Sequence, residues 1–464
     1  MASSTPMLRQ YQELKRQHPG TLLFFRLGDF YELFFDDAVT GSRELEITLT
    51  ARHKERGDPI PMCGVPHHAA STHIARLVRR GYRVAICEQT EDPARAKKLL
   101  QREVVRIITP GTAIDPQLVT SRETIYLAAV CGTGDRMAAA FLDLSTGEFR
   151  ATEASGQDSW ARINADLEAY APREILFPAS LAPLMKSARD GNSHTQHLPI
   201  KRADDPQSNS SDGNRNEVAV STADSTIFAG ATLTPVDDWL WQADSCSAQL
   251  CQQFGALSLE GYGLEGKSEA VRAAGACLRY AQETQRAAAT HISDINYFEP
   301  QDHLILDQVT VRNLELVESQ TGAARASSLL DVIDETVTGM GARLLRSWLL
   351  RPSVRRGEIE ARHSAVEELH ASQMKRDRLR ALLKDVADLE RLTGRLNMNS
   401  ATPRDMNALL RSLNQVPQIG KTLTDARSSL LQVLHESFAA SVATPNRQSH
   451  HWKRASVRAQ ALHL

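Results

Sequence analysis

At 464 residues, 42% hydrophobic and 24% charged, the chain has the make-up of an ordinary globular protein with room for roughly two to four domains. No apolar run reaches the length of a bilayer span, and Met1 to Pro6 carries no signal-peptide pattern, which argues against a membrane-embedded or secreted chain. A formal net charge of −2 does not by itself advertise a polyanion partner, so the distribution of charge matters more than its sum.

Residues 7–18 read as a helix, with Leu8, Tyr11 and Leu14 on one side. The run Leu22-Leu23-Phe24-Phe25 reads as a buried strand and Gly28-Asp29 as a turn. Phe34, Phe35, Ala38 and Leu45 then fall at helical spacing, which puts Phe30 and Glu32 at a strand-to-helix corner. Leu45 to Thr50 alternates like a strand, and Pro59 to Pro66 reads as a loop. Ser71 to Arg80 is a predicted helix closed by Gly81. Tyr82–Cys87 and Val104–Ile108 are predicted strands, with a short helix over Ala94–Gln101 between them. Residues 1–115 thus form a small mixed α/β domain.

Phe30 and Glu32 are the pair with chemistry to offer. An exposed Phe at a stiff tip can wedge between base steps and kink a duplex, and stacking on a base tolerates any base. A carboxylate beside it is repelled by phosphates. It becomes useful when it meets one base edge, accepting a proton or donating one if its pKa is raised. A mispaired base costs less to unstack than a paired one, so the pair suits a defect probe. The plainer alternative makes Phe30 core and Glu32 a solvated acid in a helix's first turn. Between Arg76 and Arg106 nine basic residues face four acidic ones, a pattern that fits a phosphate track or a solvated face equally. Arg52, Arg76 and Arg106 are the candidate backbone contacts, with ordinary surface charge as their alternative.

Residues 122–265 read as a second α/β unit. Three successive strands (Ile125–Cys131, Arg136–Leu142, Glu148–Thr152), a helix (Trp160–Tyr170) and a strand (Glu174–Phe177) resemble a ribonuclease-H-like sheet. Such a sheet can host a metal nuclease, which needs clustered carboxylates. Asp143 sits near a strand end, but no further acid falls where a metal pair would need it. The tract 188–224 is poor in large apolar residues and is expected to be a disordered insertion. Trp239–Phe254 reads as a helix. The six cysteines, at 63, 87, 131, 246, 251 and 277, lack metal-ligand spacing and read as free thiols in a reducing cytosol.

From Ser268 the pattern becomes helical through 438, beginning with an Ala-rich helix at Ala270–Ala289. Leu379, Leu382, Val386, Leu389, Leu392 and Leu396 form one stripe of a long predicted helix. Gly420-Lys421-Thr422 imitates the end of a phosphate-binding loop, but Gln415 stands where its first Gly should be and no strand precedes it. ATP binding by this chain is therefore not expected. Residues 441–464 hold no acidic residue and four Arg or Lys, an atypical basic tail.

Several ordered motifs carry a family resemblance: Phe25-Arg26-Leu27-Gly28-Asp29-Phe30-Tyr31-Glu32-Leu33-Phe34, Pro59-Ile60-Pro61-Met62-Cys63-Gly64-Val65-Pro66, Val84-Ala85-Ile86-Cys87-Glu88-Gln89 and Thr109-Pro110-Gly111-Thr112. Over about residues 7–435 the chain resembles the bacterial MutS mismatch-recognition family. The resemblance implies three parts: a mismatch-recognition α/β domain, a non-catalytic ribonuclease-H-like connector, and an incomplete helical core and lever domain. It implies that Phe30 stacks on the mismatched base and Glu32 hydrogen-bonds to it. It also implies a cytoplasmic, nucleoid-associated protein that binds duplex DNA with mismatches or small loops, as a homodimer that recruits the repair protein MutL. Coupling to ATP and Mg belongs to a family ATPase module that this sequence does not reach, with no cofactor expected for the chain itself. A frame change or premature stop after about Phe438 is the expectation for the odd tail, with a true DNA-binding tail as its rival. Two other functions stay open: an interaction scaffold without mismatch discrimination, and a metal nuclease at Asp143.

Overall fold

A computed structural model describes residues 5–52, 59–90, 100–133, 135–189, 230–299, 302–320 and 328–443. The predicted helix at Ala94–Gln101, most of the 188–224 tract and most of the basic tail lie outside these residues.

The first domain runs α1 (Pro6–Gln17), β1 (Thr21–Leu27), β2 (Phe30–Phe34), α2 (Phe35–Leu45), β3 (Thr50–Arg52), β4 (Ile60–Pro66), α3 (Ala70–Arg79), β5 (Arg83–Gln89) and β6 (Arg102–Ile108). Its sheet has the order β3-β4-β2-β1-β5-β6. Only β1 and β5 pair in parallel there. Strand alternation sends Phe24, Tyr31, Leu33, Cys63 and Val65 to the core under α2 and α3. Phe25, Phe34, Ala85 and Cys87 go to a second core under α1.

Three predicted features change here. Phe30 and Glu32 lie on β2, the second strand of a tight hairpin, and not at a strand-to-helix corner: Leu27 pairs with Phe30 across Gly28-Asp29, and Gly28 takes the positive φ of 57° that the turn requires. Leu45–Leu49 forms no strand and only Thr50 enters β3, because Glu46 caps α2 in the left-handed region at φ 58°. Pro59–Pro66 is largely a strand: Pro61 and Pro66 fall near the ends of β4, and Met62–Val65 carry the ladder to β2.

The second domain contains β7 (Leu127–Thr133), β8 (Arg136–Asp143), β9 (Glu148–Ser155), α4 (Ser159–Tyr170), β10 (Glu174–Pro178), α5 (Ala182–Arg189), β11 (Thr232–Val236), α6 (Ala243–Phe254), α7 (Ser268–Gln285) and β12 (Asn296–Tyr297). The sheet order is β11-β10-β7-β8-β9-β12. The Ala-rich α7, assigned by pattern to the helical region from Ser268, instead packs into the core of this sheet with Ala273, Ala274, Cys277 and Ala281 fully buried. Small residues bring it close: a Cβ on Gly275 would lie 2.3 Å from the Cβ of Cys246 on α6.

The remainder is helical: α8 (Gln308–Asn313), α9 (Leu329–Ile333), α10 (Gly339–Leu350), α11 (Arg356–Ala371), α12 (Gln373–Lys384), α13 (Leu389–Asn397), α14 (Pro403–Thr422) and α15 (Ser429–Ala443). Leu369, Leu379, Val416, Ile419, Leu431 and Leu434 share its core. Leu304–Leu306 forms no strand. The single stripe from Leu379 to Leu396 is divided between α12 and α13, because Asp388 caps α13, accepting from the Arg391 N–H at 3.3 Å.

Candidate nucleic-acid interface

The β1–β2 hairpin is anchored from one face and presents the other. Tyr31 and Leu33 are buried, and Tyr31 hydrogen-bonds through its hydroxyl to the Glu88 carboxylate on β5. Its ring meets those of Phe24 at 6.0 Å and His67 at 5.4 Å, with the Arg26 guanidinium 5.5 Å from its centroid. The His67 N–H donates to the Asp29 carbonyl at 2.8 Å, tying the turn to the end of β4. The opposite face carries Phe30, Glu32 and Phe34 in alternation. Phe34 is covered by Tyr11 of α1, ring centroids 5.1 Å apart. Beyond the cover of α1, Phe30 stands 46% exposed, so it is not a core residue.

Glu32 is half-hidden beside it, its side chain 22% exposed. Across the ladder it pairs with Phe25 on one side and Gly64 on the other. A Cβ at Gly64 would come within 3.3 Å of the Tyr31 carbonyl, 3.5 Å of Glu32 Cγ and 3.9 Å of the Phe30 ring. Gly64 thus keeps the floor between the two side chains open, a role that the Cys63-Gly64-Val65 stretch signals only once its strand is known. Burial raises the Glu32 pKa above the ordinary carboxylate value, and the Arg52 guanidinium opposes that shift. Among the described residues Glu32 Oε2 is buried without a hydrogen-bond donor, and Arg52 Nη1 lies 3.7 Å from it. A stacking ring beside an acceptor that lacks a donor is what reading a base edge requires.

Of the three candidate phosphate contacts, the fold brings Arg52 against Glu32. Arg76 on α3 instead binds the Leu45 carbonyl and the Glu46 carboxylate at the end of α2. Arg106 on β6 pairs with Asp115 at 3.1 Å. Much of the basic stretch is spent on contacts within the chain: at the surface Arg79 donates to the Gln117 carbonyl and Arg80 pairs with Glu44, while Arg83 lies over Tyr280, and Arg102 lies over Phe25 and donates to the Arg26 carbonyl. Arg95, Lys97 and Lys98 fall outside the described residues.

Asp143 is buried and holds a turn, accepting from the Ser145 N–H at 2.8 Å, the Ser145 hydroxyl at 2.6 Å and the Thr146 N–H at 3.3 Å. Among the described residues no group of three His, Cys, Asp or Glu side chains is placed to hold a metal ion. The nuclease reading gains nothing from this geometry. Nor, among the described residues, is any helix long and apolar enough to cross a membrane.

Sequence reasoning missed a junction of all three parts. Arg343 on α10, almost fully buried, donates to Asp388 at 2.6 and 2.9 Å, to Glu390 at 2.7 Å and to the Ser121 carbonyl at 2.7 Å. Arg391 donates to the Thr120 carbonyl at 2.5 Å and to that of Glu123, and Arg122 pairs with Asp334 at 2.6 Å. The segment leaving the first domain is thus gripped by the helical one.

An aromatic–carboxylate hairpin on a mixed sheet, followed by a second layered α/β domain and a helical array, defines a multidomain α/β and α protein. Comparison with known families gives three matches in the same order: MutS domain I over residues 5–117, MutS domain II over 125–293 and MutS domain III over 309–459. The third match runs into the stretch that the sequence pattern set apart as a basic tail. The chain is 45% identical over 439 residues to the DNA mismatch repair protein MutS of Solibacter usitatus, covering 94% of this chain and 46% of that one. It is 40% identical to the proteins of the same name from Symbiobacterium thermophilum, over 94% of this chain and 46% of the relative, and Myxococcus xanthus, over 95% and 45%. The chain belongs to the MutS family, and it spans about half the length of the curated relatives it matches.

Proposed function

We propose that this chain senses mispaired or unpaired bases in duplex DNA, Phe30 stacking into the defect while Glu32 hydrogen-bonds to the displaced base. The observation that carries this reading is the hairpin itself: Phe30, 46% exposed, stands beside a carboxylate whose Oε2 lacks a donor, on strands whose other face is locked in the core. Inserting the ring requires a bend, and the bend is cheapest where pairing is already broken. Arg52, Arg76 and Arg106 are the proposed backbone contacts. The latter two would have to exchange Glu46 and Asp115 for phosphate.

In the same reading, homodimerisation, hand-off to MutL and coupling to ATP with Mg are what family membership implies for the whole protein, and residues 1–464 are not proposed to hold a cofactor themselves. The protein works in the cytoplasm, on nucleoid DNA. The test is binding of the chain to one short duplex with and without a G·T mismatch or an unpaired T. A preference for the defective duplex that Phe30→Ala abolishes is expected. Equal binding to both duplexes, unchanged by the substitution, would overturn the reading.

A scaffold function is the second reading. It is favoured by the internal use of so many of the basic side chains and by the apolar residues Ile305, Leu314 and Val332 exposed on the helical part. Affinity for DNA that does not fall with salt would support it.

A further inference from the structure

We propose that Arg52 is a positioning residue for Glu32: in the free protein it draws the carboxylate toward the edge strand β3, and on DNA it passes to a phosphate as the carboxylate passes to a base. The inference rests on the reading of Phe30 and Glu32 as the mismatch probe, and adds to it the control of when Glu32 is available.

The geometry favours a pair made to part. Arg52 Nη1 lies 3.7 Å from Glu32 Oε2, beyond hydrogen-bond length, so charge attraction alone connects them. Arg52 ends a three-residue edge strand whose residues are all exposed, and its own side chain is 49% exposed. Such a pair is weak in water, whereas a guanidinium and a phosphate make a two-pronged, charge-assisted contact.

No other described charge takes Arg52's place. From β1 the residue opposite Glu32 is Phe25, and from β4 it is Gly64, neither of them ionisable. On β1, Arg26 turns to the Gly28 carbonyl at 2.5 Å and to the Tyr31 ring. From β6, Arg102 is spent on the Arg26 and Leu100 carbonyls and Gln10. Burial favours the protonated carboxyl of Glu32 and Arg52 opposes it. Departure of Arg52 to a phosphate therefore moves Glu32 toward the form that donates a hydrogen bond. One transfer sets the contact to the backbone and the chemistry offered to the base together.

The test uses the full chain carrying carboxyl-labelled glutamate, with Glu32→Gln to assign the signal, and compares wild type, Arg52→Gln and Arg52→Lys. In the absence of DNA, the titration midpoint of Glu32 is expected to rise in Arg52→Gln and to return toward wild type in Arg52→Lys. With duplex, where Arg52 of the wild type is already on a phosphate, the pH at which preference for a G·T mismatch is half lost is expected to match wild type in Arg52→Gln. Its plot of log affinity against log salt is expected to be shallower by about one phosphate contact. A Glu32 midpoint that Arg52→Gln leaves in place, or a salt slope that stays the same, would overturn the proposal. These failures are separable from failure of the probe itself. If wild type shows no mismatch preference, the probe reading falls while the titration still decides the pair. If the preference stands and Phe30→Ala removes it, an unmoved titration refutes Arg52 alone.

Discussion

Gly394 on α13 lies so close to the Ser145 carbonyl that a Cβ on it would stand 2.3 Å from that oxygen. Ser145 belongs to the turn that Asp143 holds, so the helical part rests on the second domain through bare backbone. Gly394→Ala is expected to force the two apart at a cost of about 1–3 kcal/mol. Faster amide exchange in residues 143–147 and a lowered unfolding midpoint would show it. Gly357, with nothing within 4 Å of its Cβ position, is the control: Gly357→Ala is expected to be neutral or slightly stabilising.

Arg343 ties two carboxylates and a linker carbonyl in a nearly dry site. Removing the cation with Arg343→Met leaves Asp388 and Glu390 half-sequestered without it, and the expected cost is about 3–5 kcal/mol by denaturant unfolding. Arg343→Lys is expected to recover only part, because an ammonium cannot span both acids and the Ser121 carbonyl.

The hairpin separates stability from function. Phe30→Ala is expected to change unfolding free energy by less than about 1 kcal/mol, since the ring is largely exposed, while removing mismatch preference. Leu33→Ala, three residues along the same strand and fully buried, is expected to cost about 2–5 kcal/mol. Paired melting and binding measurements on the two variants check both halves.

Two acids give stability opposite pH dependences. Burial works against ionisation of Glu368, but Lys375 and the Ser428 and Arg427 N–H groups outweigh it and hold the carboxyl at about 2. Its folded pKa is below the unfolded value, so its contribution is present above pH ~4.3 and lost as pH falls toward 2. Burial pushes Asp166 up to about 7, with Arg351 opposing. Its folded pKa is above the unfolded value, so its contribution is present below pH ~3.9 and lost as pH rises through about 7. Asp166→Asn is therefore expected to stabilise the protein at pH 8 relative to wild type and to have little benefit at pH 4. Glu368→Gln is expected to destabilise at pH 7 and to converge on wild type near pH 2. Unfolding curves across this range check both signs.

What the sequence disclosed followed from strong local signals. The successive runs at residues 125–131, 136–142, 148–152 and 174–177 marked strands of the second sheet, and Phe30 and Glu32 stood out by residue type. The hairpin was hidden because Phe34 and Phe35 straddle the junction of β2 and α2, where aromatic residues fit a strand period and a helix period alike. Three prolines masked β4. The partner of α7 could not be read from its own residues, since alanines record that a neighbour is close without saying which. The break before α13 depends on Asp388 serving a cap and an arginine from a distant helix, a long-range fact with no local trace.

The grip on residues 120–123 has a consequence for how such chains can drift. Arg343 and Arg391 reach the carbonyls of Thr120, Ser121 and Glu123, groups that almost every amino acid supplies identically. The side chains of Thr120, Ser121 and Glu123 can therefore be exchanged with little penalty, while the two arginines are held in place. Arg122, which pairs with Asp334 through its own side chain, is the exception, and elsewhere in the segment variation would be silent.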